Sequence, residues 1–362
     1  MSILFFIIIL SALVLVHELG HFIAAKRAGI RVDEFGIGFP PRIFGKKFGD
    51  TTYSVNALFL GGFVKIFGED PNTESLGEGN ASQSFSHKSR LTQAWVISAG
   101  VIFNLLFAWG LLSAGFATGV PYSIDDSVYG SRVTGAQLMI AEIMPRSPAK
   151  EAGLQMGDKI LLLSGAGDIL ENPRIASTQK FIATHSDVTV TYTRGEEVKT
   201  ALVRPRDGVT KEQPAIGIAM TMTGTLTLPL HEAIYEGAQS TILFTWTTAV
   251  GLLDFLKNIF IGQANFSEVS GPVGIVGIVG SSAELGFSHV LLLIALISIN
   301  LAVINLLPFP ALDGGRLFFI LIEAIKGSPI KPVIANTANA IGFVLLILLM
   351  VVVTYHDIVK IW

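Results

Sequence analysis

The chain has 362 residues, of which 51% are hydrophobic and 15% are charged, and its mean hydropathy is +0.59. Soluble domains carry about 25% charged residues, so this composition indicates a membrane protein with some soluble mass attached. The net charge of -3 gives no reason to expect a nucleic-acid partner. Because the chain has no cysteine, disulfides, thiolate zinc sites and cysteine nucleophiles are excluded, and any metal must be held by His and carboxylate groups.

The first apolar run, residues 3–25, is long enough to cross a bilayer. Its last third contains an H-E-x-x-H pattern made by His17, Glu18 and His21. Positions i and i+4 of a helix share one face, so both imidazoles can reach one metal ion, while Glu18 points beside it and suits a general base. The alternative is a signal peptide or an anchor helix with polar residues near its exit, but it leaves three ionisable groups unexplained.

Basic residues indicate the orientation of this first span. Nine Lys and Arg residues lie between positions 26 and 90. By the positive-inside rule, that segment is cytoplasmic. We therefore expect the N-terminus on the outer side of the membrane.

Residues 35–67 resemble neither a span nor an ordinary loop. They are rich in β-branched and aromatic side chains and are interrupted by paired glycines, which predicts short strands or a hairpin. Their apolarity favours a hairpin that dips into the membrane, where non-helical backbone is tolerated only against protein or a water-filled cavity. A small cytoplasmic β-domain is the alternative.

A second span is predicted from residue 91 to about 119, with Asn104 as its one strongly polar residue. Residues 130–222 hold most of the remaining charge and indicate a soluble domain. Within 141–160, the pattern predicts a strand, a short helix that begins at a proline and is closed by Gly153, a Gly-Asp turn and another strand. The run S-P-A-x-x-A-G-L-x-x-G-D resembles bacterial PDZ domains, which bind extended peptides by adding a strand to a sheet edge.

The segment 231–262 is long and partly apolar. Its length is compatible with a span, whereas it is rich in Ser and Thr and charged at its ends. The depth required of Asp313, given below, favours a peripheral helix that does not cross. The glycine-rich run 270–277 is predicted to pack against other helices. Two further spans are predicted at 288–307 and at about 338–354.

A catalytic zinc usually takes three protein ligands and leaves one position for water, so the two histidines need a third partner. Asp313 is the candidate by depth, because it follows the span 288–307 just after prolines break the helix. If 231–262 does not cross the membrane, Asp313 lies at the same inner end as His17 and His21; a fifth span would put it at the opposite surface. Alternatively, Asp313 only caps the next helix.

Two asparagines, Asn300 and Asn305, lie in the last part of the same span. Their amides could join helices by hydrogen bonds. They could equally hold the backbone of a substrate or stabilise an oxyanion. The residues alone leave both interpretations open.

Four features occur in this order: H-E-x-x-H in the first span, G-G-F-V-K after a hairpin, a PDZ-like domain, and N-x-x-P-x-P-x-L-D-G-G in a late span. Together they resemble the site-2 protease family over nearly the whole chain, and especially its sigma-E-regulating bacterial branch. By this resemblance, His17, His21 and Asp313 bind Zn²⁺ and Glu18 is the catalytic base. The resemblance also implies six substrate-binding residues: Asn300, Asn305, Pro308, Pro310, Gly61 and Gly62.

The activity implied by the resemblance is hydrolysis of a peptide bond inside the transmembrane segment of a single-span protein, such as an anti-sigma factor or a remnant signal peptide. The hairpin residues 51–66 would hold the unwound substrate strand. The PDZ domain would filter substrates, and an upstream site-1 protease would trim them first. Two other functions stay open: a catalytically silent PDZ membrane scaffold, which would have no need of Glu18, and a zinc transporter, which would need more intramembrane His and carboxylate groups.

The expected fold is a polytopic α-helical membrane protein with four transmembrane helices, a membrane re-entrant β-hairpin and an inserted extracytoplasmic PDZ (α+β) domain. The resemblance implies the bacterial inner membrane, with the PDZ domain and both termini extracytoplasmic. Two departures from the family pattern are a single PDZ domain and Ala99-Gly100-Val101 in place of Ala-Gly-Pro. The expected segments are 1–119 with the zinc motif, 120–229 as PDZ domain, 230–287 as peripheral helix and glycine-rich run, and 288–362 with the L-D-G-G motif.

Overall fold

The computed structural model describes residues 2–69, 81–124, 129–195, 197–209, 214–263 and 269–361. Its α-helices are α1 Ser2–Arg27, α2 Arg90–Thr118, α3 Pro148–Glu151, α4 Ile175–Thr184, α5 Leu230–Phe260, α6 Pro272–Leu285, α7 Phe287–Leu306, α8 Asp313–Lys326 and α9 Pro332–Ile361. Its strands are β1 Val32–Phe48, β2 Thr51–Ile66, β3 Val120–Ser123, β4 Thr134–Ile143, β5 Lys159–Gly165, β6 Asp168–Glu171, β7 Val188–Arg194, β8 Glu197–Val203 and β9 Ile218–Leu226.

The chain forms two compact units. The first unit contains Met1–Leu112, Tyr235–Gly280 and Leu293–Trp362, and the second contains Ser113–Ile234 and Ser281–Leu292. The sequence-based boundaries at 119, 229 and 287 rest on composition, and they stay a prediction of domain organisation.

Among the described residues, four helices are long and apolar enough to cross a membrane, which is the number predicted. They are α1, α2, α7 and most of α9. The last of these begins at Pro332, earlier than the predicted start near 338, because proline is well tolerated in the first turn of a helix. Only 11% of the apolar window of α9 is buried by the protein itself, so its side chains are left for lipid.

The helix α5 has 31 residues, but it is not one of the described helices that are both long and apolar enough to cross a membrane. Its threonine hydroxyls turn back onto its own backbone: Thr241 Oγ1 donates to Gly237 O at 2.7 Å, and Thr245 Oγ1 donates to Thr241 O at 2.7 Å. Large apolar side chains such as Trp246 are exposed on it. Its predicted peripheral placement remains a prediction.

The strands β1 and β2 form a hairpin whose long strands each fold into two segments. Residues 34–37 pair with 52–55 on one side and with 62–65 on the other, while residues 42–48 pair with 51–56. The order across this sheet is therefore 42–48, 51–56, 34–37, 62–65. Within the described chain, no further strand pairs with 62–65, so this segment is a free edge.

Two glycines let β2 lie directly against α1. A Cβ atom at Gly62 would be 2.7 Å from Leu15 Cδ2, and one at Gly61 would be 3.0 Å from Val14 Cγ1. Both contacts lie on the turn of α1 just before His17. The glycine pair thus brings the free edge of the hairpin to the end of α1 that carries H-E-x-x-H.

The second unit contains a seven-stranded sheet in the order β3-β9-β4-β5-β7-β8, with β6 paired to β5. The predicted succession of strand, short helix, turn and strand is found as β4, α3 and β5, with Pro148 at the start of α3 and Gly153 in the left-handed region after it. Ser147 caps α3, because its side chain accepts a hydrogen bond from Lys150 N. The apolar core of this unit includes Ile140, Leu154, Leu163 and Val190.

The glycine-rich run begins α6, and a carboxylate from the end of α9 caps it. Asp357 is buried and accepts hydrogen bonds from Gly271 N at 3.1 Å and from Gly274 N at 2.8 Å. A Cβ atom at Gly271 would lie 2.7 Å from Asp357 Oδ2, so glycine is required for this approach. The predicted packing of this run against other helices is therefore found, with Asp357 as a partner that its own segment does not reveal.

We expect Asp357→Ala to destabilise the protein by about 1–3 kcal/mol, because two buried N–H groups at a helix N-terminus lose their acceptor. The measurement is the thermal unfolding midpoint of the purified protein in detergent. Tyr355→Phe, at an exposed position on the same helix, is the control and should leave the midpoint unchanged. An unchanged midpoint in Asp357→Ala would show that these bonds contribute nothing net.

Candidate metal centre

The helix α1 continues without a break through His17 and His21, so their side chains lie one turn apart on one face. Both residues are buried, and their Nε2 atoms are 3.2 Å apart. Two imidazoles in an apolar helix need partners, since a buried polar group without one is costly. The partners come from α2 and α8.

Asp313 meets both histidines at the first residue of α8. Its Oδ2 lies 2.9 Å from His17 Nε2 and 3.2 Å from His21 Nε2. The N-cap of α8 is Leu312, and no side chain caps the helix, so the alternative in which Asp313 serves as the N-cap is wrong. Asp313, which lies 296 residues after His17 along the chain, is thus brought to the two histidines where α1 meets α8.

The turn into α8 accepts only glycine after Asp313. A Cβ atom at Gly314 would lie 2.1 Å from Leu307 O, and one at Gly315 would lie 2.2 Å from Phe309 O. The prolines at 308 and 310 end α7, and the glycines let the chain return tightly into α8. This compact reversal positions the carboxylate of Asp313.

The donor set fits zinc. Four-coordinate zinc with ligands at about 2.0–2.1 Å has donor atoms separated by about 3.3 Å. The three donor atoms here are 2.9 to 3.2 Å apart, and they form the group of His17, His21 and Asp313 able to hold a metal ion among the described residues. His21 Nδ1 donates to Val96 O at 2.9 Å, which keeps its Nε2 free for a ligand bond.

Gly100 of α2 lies directly over this donor set. A Cβ atom there would be 2.4 Å from His21 Nε2 and 2.7 Å from His17 Nε2. The missing side chain therefore leaves the space in which an ion can be held. Gly20 of α1 makes a second close approach, since a Cβ atom there would lie 2.4 Å from Ala99 O, and it lets α1 and α2 cross at this level.

Glu18 stands outside the donor set, as its offset along the helix predicts. Val64 N donates to Glu18 Oε2 at 3.0 Å. The donor belongs to the free edge of the hairpin, so the carboxylate is held between the histidines and that edge. This position leaves the second carboxylate oxygen available to a water molecule or a substrate.

The six residues expected to bind substrate fall into two groups. Asn300 is exposed on α7 and Asn305 is half-buried, and neither side chain forms a hydrogen bond with another described residue. The interhelical hydrogen bonds considered for them are therefore not formed in this part of the chain. The segment after α7 packs on α9: Ala311 N donates to Asn339 Oδ1 at 3.1 Å, and Pro310 O would lie 2.5 Å from a Cβ atom at Gly342.

The other expected group, Gly61 and Gly62, contacts α1, as described above for Leu15 and Val14. Its observed contacts are packing contacts of β2. A substrate role stays a prediction for all six residues of the two groups.

Sequence reasoning missed two features of this region, the glycine above the donor set and an ion pair made by α8. Gly100 stands out in the sequence only as part of a departure from the family pattern, and the ion pair from Arg316 to Glu69 was not expected. Arg316 lies one turn after Asp313 on α8. A charged residue three positions after a candidate ligand was the sequence signal that could have drawn attention to Arg316. Both residues act through contacts between distant segments, which spacing alone does not reveal.

The comparisons with known proteins agree over the full length of the chain. The sequence profile of Peptidase family M50 matches residues 5–349. Zinc metalloprotease RasP of Geobacillus kaustophilus is 29% identical, with 99% of this chain and 98% of the relative covered, and RasP of Shouchella clausii is 30% identical, with 100% and 99% covered. A Clostridium perfringens protein named as a candidate zinc metalloprotease is 35% identical, with 99% of each chain covered.

The four apolar helices and the His-His-Asp donor set define a metalloprotein of the membrane. The chain belongs to Peptidase family M50, the site-2 proteases. It is a zinc-dependent metalloendopeptidase, and the family resemblance stated from the sequence is confirmed.

Proposed function

We propose that this protease cleaves a peptide bond within the transmembrane segment of a single-span protein, at a centre made of His17, His21 and Asp313 with Glu18 as general base. The observation that carries the proposal is the meeting of these three ligand groups, from α1 and α8, beside a carboxylate that is not one of them. A centre buried among membrane helices acts on substrates that also lie in the membrane.

Bound zinc supplies a Lewis acid that polarises the scissile carbonyl and makes water more acidic. Glu18 takes a proton from the attacking water and passes it to the leaving amine. The hydrogen bond from Val64 N holds one oxygen of Glu18 and leaves the other for the attacking water. The hydrogen bond from His21 Nδ1 to Val96 O holds that imidazole in place.

The substrate helix must unwind, because helical hydrogen bonds occupy the carbonyl that is attacked. The free edge at 62–65 supports a way to hold the unwound strand: Val64 N points away from its neighbour 34–37 and toward Glu18. A substrate strand added along this edge brings its backbone beside the general base. Residues 51–66 were expected to hold the substrate strand. Because 51–56 already pairs with a strand on each side, only the last part of this segment can do so.

If the substrate adds as a strand to this edge, the backbone N–H groups of every second substrate residue form hydrogen bonds with the hairpin. We expect N-methylation of alternate residues flanking the scissile bond to slow cleavage by about tenfold each, since a hydrogen bond to the edge contributes about 1–1.5 kcal/mol. The intervening residues, whose N–H groups face away, serve as matched controls in the same synthetic transmembrane peptide. Cleavage rates in detergent are measured on gels. Equal cleavage rates for N-methylation at all positions would contradict strand addition.

The orientation of the protein in the membrane is inferred from the contacts of the metal centre and from the distribution of basic residues. We place the centre toward the cytoplasmic side, because α1 ends in Lys26 and Arg27 and nine basic residues lie between 26 and 90. The meeting of Asp313 with His17 supports spans α1 and α7 running in the same direction. The second unit and both termini are then extracytoplasmic, in a bacterial inner membrane.

We assign the second unit as a PDZ domain that selects substrates. Its sheet and α4 enclose a groove of about 260 Å³ lined by residues that include Ile182, Ile216 and Met220. In β9, residues 218–221 pair with β4, whereas β3 pairs with 223–226, so no other strand among the described residues pairs with the second side of 218–221. The open edge favours peptide capture as a second candidate role beside exclusion of bulky ectodomains.

Exclusion predicts that replacing residues 120–229 by a flexible linker leaves cleavage of a pre-trimmed substrate intact and makes a substrate with a folded ectodomain cleavable. Peptide capture predicts the opposite sign: weaker cleavage of the trimmed form and no rescue. Gln179→Trp, at an exposed position in the lining of the groove, fills the groove but keeps the bulk of the domain, and it is the matched variant. It should leave both substrates unchanged under exclusion. Cleavage of both substrates is compared on one gel.

The overall function is tested by incubating the purified protein with single-span substrates of the anti-sigma-factor or signal-peptide type, with and without a zinc chelator. The expected result is chelator-sensitive cleavage at a bond inside the apolar segment, located by mass spectrometry. Binding without cleavage under all conditions would favour the catalytically silent PDZ scaffold. Cleavage only outside the apolar segment would contradict an intramembrane site.

A further inference from the structure

Asn104 is a fully buried amide on α2 that contacts one of the proposed ligands. Its Nδ2 lies 3.2 Å from His17 Nδ1, the ring nitrogen that faces away from Asp313. Its Oδ1 has no hydrogen-bond partner among the described residues. An orphaned buried oxygen costs about 1–3 kcal/mol, so its presence beside a ligand calls for a physical reason.

The two ends of an asparagine amide have nearly the same shape, so which end faces a neighbour follows from the hydrogen bonds that result. With Nδ2 facing it, His17 Nδ1 must accept a hydrogen bond. A neutral imidazole then carries its proton on Nε2, the atom that faces Asp313 and His21. That proton occupies the lone pair that a ligand bond requires.

With the amide turned over, Oδ1 accepts a hydrogen bond from His17 Nδ1–H, and Nε2 keeps its lone pair. One end of the amide lacks a partner in either orientation, so the state of His17 decides between them. The second histidine has an equivalent hydrogen bond to the same helix, since Val96 O of α2 accepts from His21 Nδ1 at 2.9 Å. A backbone carbonyl can only accept, and Asn104 Oδ1 supplies the equivalent acceptor for His17.

We propose that Asn104 is a positioning residue for zinc binding, which accepts the Nδ1 proton of His17 and so presents Nε2 to the metal. The proposal rests on the assignment of His17 as a ligand. The main chain of Asn104 has a separate contact with α7, because Ser298 Oγ donates to the backbone carbonyl of Asn104 at 2.8 Å. The helix α2 thereby orients both imidazoles, one through its main chain and one through a side chain that substitution can remove.

The test compares two substitutions at Asn104 by zinc affinity, measured as competition with a chelator of known affinity on the purified protein in detergent. Asn104→Leu keeps the volume but removes the acceptor, and we expect a loss of about 10–100-fold in zinc affinity. Asn104→Asp offers acceptors only, and we expect affinity within about threefold of wild type or tighter. This readout does not depend on proteolysis, so it separates the inference from the proposed substrate class.

Ser298→Ala is the matched control, since it removes the other hydrogen bond at Asn104 without touching His17, and its zinc affinity should stay at the wild-type value. Unchanged affinity in Asn104→Leu overturns the proposal. An equal loss in Asn104→Leu and Asn104→Asp also overturns it, because His17 would then use the amide N–H or the packing of the site. If Asn104→Leu fails to fold, Asn104→Asp decides: retained affinity supports an acceptor, and a loss of tenfold or more rejects it.

Discussion

The Glu18→Gln variant is expected to keep full zinc occupancy and to lose proteolysis by about 10²–10⁴-fold, the usual contribution of a general base. The physical reason is that Glu18 lies beside the donor set: its carboxylate accepts from Val64 N, while the donor atoms come from His17, His21 and Asp313. Glutamine keeps the acceptor for Val64 N but cannot take a proton from water. Zinc content by atomic absorption and cleavage of a single-span substrate are measured on the same preparation.

Its matched controls are His21→Ala and Asp313→Ala, which should lose both zinc and activity because each removes one donor atom. The three variants thus separate the base from the ligands. Full zinc occupancy in Asp313→Ala would remove Asp313 from the ligand set and with it the argument for four spans. Loss of zinc in Glu18→Gln would make Glu18 a ligand and leave the general base unassigned.

The Gly100→Ala variant should lose zinc although every ligand is retained. One added methyl group would lie 2.4 Å from His21 Nε2 and 2.7 Å from His17 Nε2, in the space that the ion needs. Because the methyl carbon cannot approach that closely, either the imidazoles turn away or α2 moves outward. We expect at least a hundredfold loss of zinc affinity, measured by chelator competition, and a matching loss of proteolysis.

Gly110→Ala on the same helix is the control, because a Cβ atom there meets nothing within 4 Å. It should keep zinc and activity, and alanine should if anything stabilise the helix. Normal zinc affinity in Gly100→Ala would mean that the ion is held away from α2. The steric argument for the site would then fail even if the ligand assignments stood.

The sequence determined those parts of the protein whose signals are local. A span needs about 20 consecutive apolar residues, and the spacing of His17 and His21 depends only on the helical repeat, so both could be read directly. The succession of strand, short helix and strand around Pro148 and Gly153 was equally local, since these residues fix a helix start and a left-handed turn. Asp313 was also predicted as the partner of the two histidines, because its expected depth in the membrane matches theirs.

The tertiary structure decided the parts that depend on contacts between segments far apart in the chain. The order of the hairpin segments, with 62–65 at a free edge beside Glu18, follows from how each strand folds and pairs twice. The empty space over the histidines is a glycine of α2, and the acceptor beside His17 is an asparagine of the same helix. Close packing of distant helices creates these relations, and a single sequence carries no periodicity that records them.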